Sequence, residues 1–248
     1  MVDGDEMREP VDAAVEPRRA LVIAAHPDDV DFGAAGTVAT WTDAGWDVRY
    51  VIATRGQRGV QDADGDPTAF GTLREAEQRA AAAAVGVTDV TFLDFMDSEV
   101  VDSPALRRDI AREFRRHRPH RLLTMDPQIT PTDFFVNHPD HRVVATAALD
   151  ATITGGTTAA IFPELQRDEG LPPWRELEET WLMGPAGGPH VVDITATVDR
   201  KMAALRAHTS QTSSWDFETF LRARLAERGR DHGFAYAESF RVITYIRR

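Results

Sequence analysis

The sequence predicts an α/β fold, a Rossmann-like and mostly parallel sheet flanked by helices and built as a single domain. Two observations predict it. Short apolar runs rich in Val, Ile and Leu recur at residues 19–25, 47–54, 90–95 and 121–125. Stretches of helical character separate them, and strands alternating with helices at this spacing give parallel sheets with crossover connections. A chain of 248 residues suits one such domain with insertions, and it shows neither an internal repeat nor an interdomain linker.

Each element has a local reason. Residues 19–25 read as a buried strand that stops at His26. Residues 33–44 are small and apolar and read as a helix, stopped by Gly45. Residues 47–54 form the next strand, and residues 55–70, rich in Gly and Asp, a loop. Residues 72–85 are an alanine-rich helix, with Gly86 placed for a left-handed cap. Residues 90–95 make the third strand. Ser103 and Pro104 supply an N-cap and first-turn pair for a helix reaching about residue 117. Residues 121–125 make the fourth strand, and 142–152 a helix. The stretch 155–189 is crowded with Gly and Pro and holds a strand near 180–184. Residues 196–208 and 217–227 read as helices, and 240–246 alternates like a terminal strand. Residues 1–18 read as a flexible acidic leader without the apolar segment of a signal peptide, leaving 19–248 as the domain.

Composition excludes several functions. A formal net charge of −12 argues against a nucleic-acid binder and against docking on an anionic membrane. Cysteine is absent, which removes disulfides, thiolate nucleophiles and Cys-type zinc sites. No apolar run reaches the length of a membrane span. The expectation is a cytoplasmic protein; a homo-oligomer is left open.

Two motifs carry the chemistry. His26-Pro27-Asp28-Asp29 closes the first apolar run, and His138-Pro139-Asp140-His141 sits in a polar loop after the fourth. Alone, each is most often a turn, since Pro and Asp favour turns. Together they offer three histidines and three carboxylates. Two His plus one carboxylate is a common ligand set for a catalytic zinc with an open position. His26 and Asp29 can curl toward one point, with His141 as third ligand. A zinc ion there lowers the pKa of its water toward neutrality. Asp28 then serves as general base. His138 faces the other side of the reacting carbon, to stabilise the oxyanion or protonate the leaving amine. Asp140 orients His138. The same donors suit Fe(II) as well as zinc.

Position supports a shared site. His26, Arg55, Asp97, Asp126 and residues 138–141 all follow apolar runs read as strands. Ligands of open α/β sheets bind at those carboxyl ends. Gly33-Ala34-Ala35-Gly36 lacks the dinucleotide spacing and reads as close helix packing. Glu75 and Glu77 read as solvated, and His117 and His120 as surface residues.

These residues resemble the PIG-L/LmbE-like family of zinc-dependent N-acetylglucosaminyl deacetylases. The Ala25–Asp29 and His138–His141 segments match its A-H-P-D-D and H-P-D-H motifs. Weaker likenesses are Thr54–Gly59 to a T-x-G-E-x-G loop, Arg74 to Glu77 to an R-x-x-E helix, and Lys201 with His208–Gln211 to a K…H-x-S-Q segment. The resemblance implies hydrolysis of an acetamide on an amino-sugar small molecule. It implies the roles given above, with Arg74 on substrate hydroxyls or a phosphate and Asp97 helping. Arg55, in the second loop, is grouped with them as substrate-binding. Departures are Val30 and Gln57, where the family carries acidic residues, and Val136, where some members place a Tyr. They bear on substrate more than on chemistry. The rival readings are an amidase of thiol-sugar conjugates on the same fold and a metal-free sugar- or nucleotide-binding module. A dehydrogenase is weakened by the missing glycine spacing.

Overall fold

The computed structural model describes residues 17–60, 64–129, 131 and 136–246; the acidic leader lies outside them up to residue 16. β1 (Arg19–Ala24) is followed by two short helices, α1 (Asp29–Gly33) and α2 (Ala35–Asp43), and then β2 (Asp47–Thr54). The helix begins earlier than the small apolar run suggests. Asp28 adopts a left-handed conformation, φ 87°, which turns the chain into α1 directly after the first motif.

A 3-10 turn at Gln57–Gly59 leads to α3 (Pro67–Ala84). This helix also starts early, because Asp66 accepts the Thr68 N–H at 2.8 Å and Pro67 takes the first helical position. Then come β3 (Asp89–Phe95), α4 (Pro104–His117) and β4 (Arg121–Met125). α4 buries Leu106, Ile110 and Phe114 on one stripe, as its spacing requires.

The second motif is a helix start, not a loop. In α5 (Pro139–Asp150), Pro139 stands in the first turn and the His138 side chain accepts the Asp140 N–H at 3.2 Å. A π-helical turn at Ala151–Gly155 and α6 (Pro163–Arg167) open the poorly legible stretch. β5 (Glu179–Met183) and β6 (His190–Asp193) complete it. α7 (Val198–Ala207), α8 (Thr209–Thr212), α9 (Phe217–Arg230) and β7 (Ala237–Thr244) finish the chain.

The seven strands form one sheet in the order β3-β2-β1-β4-β5-β7-β6. β1 to β5 pair in parallel, and β7 alone of the seven runs the other way, antiparallel to both β5 and β6. The strand order reverses between β1 and β4, so the two connections leaving their carboxyl ends part there and open a crevice. His26 follows β1, and Asp126 and the second motif follow β4. The topology therefore delivers both motifs to one place.

The sheet is buried between its helices. β1 exposes almost nothing from Ala20 to Ala25, and Ile52, Leu122 and Leu123 are fully buried beside it. Lys201 and Glu238 are also fully buried and pair at 2.8 Å. Glu238 accepts the backbone N–H groups of Gly36 and Thr37 at the start of α2, where a negative charge suits the helix end. Among the described residues no helix is long and apolar enough to cross a membrane.

Candidate active site

His26 stands at the centre of the site and uses both ring nitrogens. Its Nδ1 faces His141 Nε2 at 3.2 Å and Asp29 Oδ2 at 3.7 Å. His141 Nε2 lies 3.0 Å from Asp29 Oδ1. Zinc bonds of roughly 2.0–2.1 Å in a tetrahedron set neighbouring ligand atoms about 3.3 Å apart. The two ring nitrogens and the Asp29 carboxylate, one oxygen toward each ring, are spaced to suit a metal ion. Asp29 is held for this by its other function: its Oδ2 accepts the Ala25 and His26 N–H groups at 3.1 and 2.8 Å. His138 stands nearby, and the ring nitrogens of His26, His138 and His141 lie within 4.8 Å of one another.

The opposite nitrogen of His26 meets two carboxylates. Nε2 lies 3.1 Å from Asp97 and 3.2 Å from Asp140. Those three residues also cluster closely enough to hold an ion. Their carboxylates, like that of Asp29, also accept protein hydrogen bonds. Asp140 takes the Ser98 N–H at 2.7 Å, and Asp97 takes the Arg58 N–H and the Ser98 hydroxyl. A carboxylate on the far nitrogen of a histidine is the usual support of a metal ligand, and we read this cluster so. Burial pulls the His26 ring down, but the Asp140 and Asp97 hydrogen bonds and neighbouring charge hold it at about 10.

This arrangement corrects one sequence expectation. Asp140 was expected to orient His138, yet its carboxylate orients His26. Only its backbone N–H reaches His138, on Nδ1. That bond makes Nδ1 an acceptor and leaves the proton on His138 Nε2. Burial and the neighbouring His26 charge both lower the His138 ring's affinity for a second proton.

Asp28 lies beside Asp29 but is fixed by other partners. Its N–H bonds Gln78 Oε1 at 2.8 Å, and its carboxylate takes the Arg74 guanidinium at 3.0 Å. Burial raises the Asp28 carboxyl, Arg74 opposes this and Asp29 adds to it, leaving it at about 6. Burial likewise tends to raise Asp29, but His141 and His26 dominate and hold it well below the usual carboxylate range.

Two further expectations change. Arg74 is 5% exposed, and its guanidinium is spent on Asp28 and on the Pro27 and Gly56 carbonyls. These contacts position the base, a role beside the substrate contact first expected for Arg74, which also lines the cavity. Gly56 makes this reach feasible, since a Cβ there would lie 2.1 Å from the Arg74 side chain. Arg55 instead pairs with Glu75 and Asp94 and does not line the cavity. Asp97, grouped with substrate contacts, does line it but also braces His26. Val136 is exposed and outside the lining.

A cavity of about 880 Å³ covers the cluster. His26, Asp28, Asp29, His138 and His141 line it together with Gln211 and side chains of α9.

The sequence reading missed the supports. Gln78 also donates to Asp31 at 2.9 Å, and Asp31 accepts from His208 Nε2 at 2.8 Å. Glu77 is buried, not solvated; it takes three hydrogen bonds from Thr209 and Ser210 and so seats Gln211 at the cavity. His117 is also buried, with Nε2 on the Ala20 carbonyl. The signal was present in α3, where Arg74, Glu77 and Gln78 share one face at helical spacing. Replacing Gln78 with Leu is expected to lower kcat about tenfold, since it strands the Asp28 N–H and takes one of the two hydrogen bonds from Asp31 Oδ2. Metal content should persist. Steady-state kinetics beside metal analysis checks this, and an unchanged kcat would remove Gln78 from the site.

A doubly wound sheet with histidines and carboxylates clustered under a cavity at its switch point is the frame of a metal-dependent hydrolase. Residues 21–152 match the family described as PIG-L, GlcNAc-PI de-N-acetylase, and the chain belongs to that family. It is similar to diacetylchitobiose deacetylase of Thermococcus kodakarensis, 29% identical, covering 92% of this chain and 84% of the relative. It is 30% identical to 1D-myo-inositol 2-acetamido-2-deoxy-alpha-D-glucopyranoside deacetylase of Nakamurella multipartita, covering 92% and 89%. The structure of N,N'-diacetylchitobiose deacetylase from Pyrococcus horikoshii superposes with a TM-score of 0.83 at 28% identity, covering 92% and 85%. The chain is an amide-cleaving N-deacetylase of this family.

Proposed function

We propose that the protein removes an N-acetyl group from an amino sugar or a small amino-sugar conjugate, with zinc held by His26, Asp29 and His141. The observation that carries this is the grouping of His26 Nδ1, His141 Nε2 and the two oxygens of Asp29 at 3.0–3.7 Å beside the cavity. The named activities of the three relatives supply the substrate class. The cysteine-free composition supports a cytoplasmic setting.

When bound, the metal lowers the pKa of a water and polarises the acyl oxygen. Asp28 accepts a proton from the attacking water as the water's oxygen bonds to the acyl carbon. The raised carboxyl of Asp28 suits a base near neutral pH. His138 Nε2–H donates to the oxygen on which negative charge develops. The carbon–nitrogen bond then breaks, and the proton held by Asp28 passes to the departing nitrogen. Acetate and a free amine result. Asp97 and Asp140 keep His26 turned, and Arg74 and Gln78 keep Asp28 in place.

The test is acetate release from N-acetylglucosamine, its simple glycosides and a thiol-sugar conjugate. Acetate and amine in equal amounts from the N-acetyl sugars support the reading. Cleavage of the thiol conjugate alone would favour the amidase.

A further inference from the structure

Four arginines line the cavity: Arg58, Arg74, Arg224 and Arg228. The first two are neutralised, by Glu99 and Asp28. The other two are not. Among the described residues neither Arg224 nor Arg228 forms an ion pair. Arg224 lies over the Phe220 ring, 5.7 Å from its centre, and Arg228 donates to the Pro185 carbonyl at 3.3 Å.

Both sit on α9 four residues apart, so they are neighbours on one helix face. Like charges at that spacing repel. Burial, and then the charge of Arg224, lowers the pKa of Arg228, against a smaller opposing effect of Glu238 and Glu227. Phe220, Leu221 and Leu225 stand on the same cavity-facing side. The lining thus has two parts. The loops after the strands supply histidines and carboxylates; α9 supplies apolar side chains and two guanidinium groups that form no ion pair among the described residues. A guanidinium fork matches the oxygens of a carboxylate or phosphate.

We propose that Arg224 and Arg228 form an anion-recognising end of the cavity, and that the preferred substrate carries a carboxylate or phosphate on the part remote from its N-acetyl group. The inference rests on the deacetylase reading for the orientation of the substrate, but the anion site can be measured without turnover. The apolar side chains between the arginines accommodate the linking portion of the molecule. Solvent-facing arginines elsewhere on this acidic chain would not select a ligand; these two line the same cavity as the cluster.

Binding is measured by calorimetry to the zinc-loaded protein with three amines: glucosamine 1-phosphate, a glucosaminide bearing a carboxylate, and methyl glucosaminide. The N-acetylated counterparts are assayed for cleavage in parallel. An anionic ligand is expected to bind about tenfold or more tightly than the neutral one, and the two anionic arms tell phosphate from carboxylate. Added salt should erode that advantage. In R224Q/R228Q the ratio of anionic to neutral affinity should fall toward one, and R224K/R228K should keep part of it. No anionic preference in the native protein, or a preference that survives R224Q/R228Q, overturns the proposal. If the double variant does not fold, the salt dependence in the native protein decides. An arginine-dependent anionic preference with no acetate released from any compound would uphold the anion site and sink the deacetylase reading instead.

Discussion

Replacing Asp28 with Asn is expected to lower kcat by about 10²–10⁴, the usual contribution of a general base, while the protein keeps its metal. Asn is the informative choice. Asp28 holds φ 87°, and Asn is among the few residues that tolerate the left-handed region. Asn also retains the backbone N–H that bonds Gln78. Asp28→Ala would add backbone strain and confuse the result. The native enzyme should gain activity as pH rises through about 6, where Asp28 loses its proton, and the variant should lose that limb. Metal analysis and a pH–rate profile check both points. Full activity in Asp28→Asn would remove the base; loss of metal with it would mean that the roles of Asp28 and Asp29 are exchanged.

Truncating His141 to Ala is expected to take bound metal from about one per chain toward none, because a catalytic zinc site needs its three protein ligands. Only His26 Nδ1 and Asp29 would remain. The side chain of His141 is 20% exposed, so truncation leaves no large sealed void and the fold should persist by circular dichroism. Turnover should vanish with the metal. A folded His141→Ala protein with full metal content would exclude His141 from the ligands. It would turn attention to His138, whose ring nitrogen also lies near those of His26 and His141.

The strands and the two histidine motifs were legible because their causes are local. β2 and β4 could be bounded from runs of buried residues alone, and α4 from its Ser103-Pro104 start. The short strand β6 is four residues with an exposed pattern, too little for a signal in sequence. The orientation of side chains was less legible still. Nothing in the spacing of His138 and Asp140 shows that the carboxylate crosses to His26, because that contact depends on β1 lying beside β4. Arg74 likewise looked free until Gly56 brought the loop against it. The supports from His208, Glu77 and Gln211 join α3 to the α7–α8 connection, which only the tertiary structure places side by side.

The central claim is a metal-dependent hydrolysis at the meeting of the two motifs. Its most direct test is to strip the purified protein with a chelator, titrate zinc back, and follow bound metal and acetate release from an N-acetylated amino sugar together. The account predicts no acetate from the stripped protein and recovery in proportion to zinc, complete at about one ion per chain. Acetate release that persists at full rate without metal, or zinc that binds only to sites unaffected by His141→Ala, would contradict it.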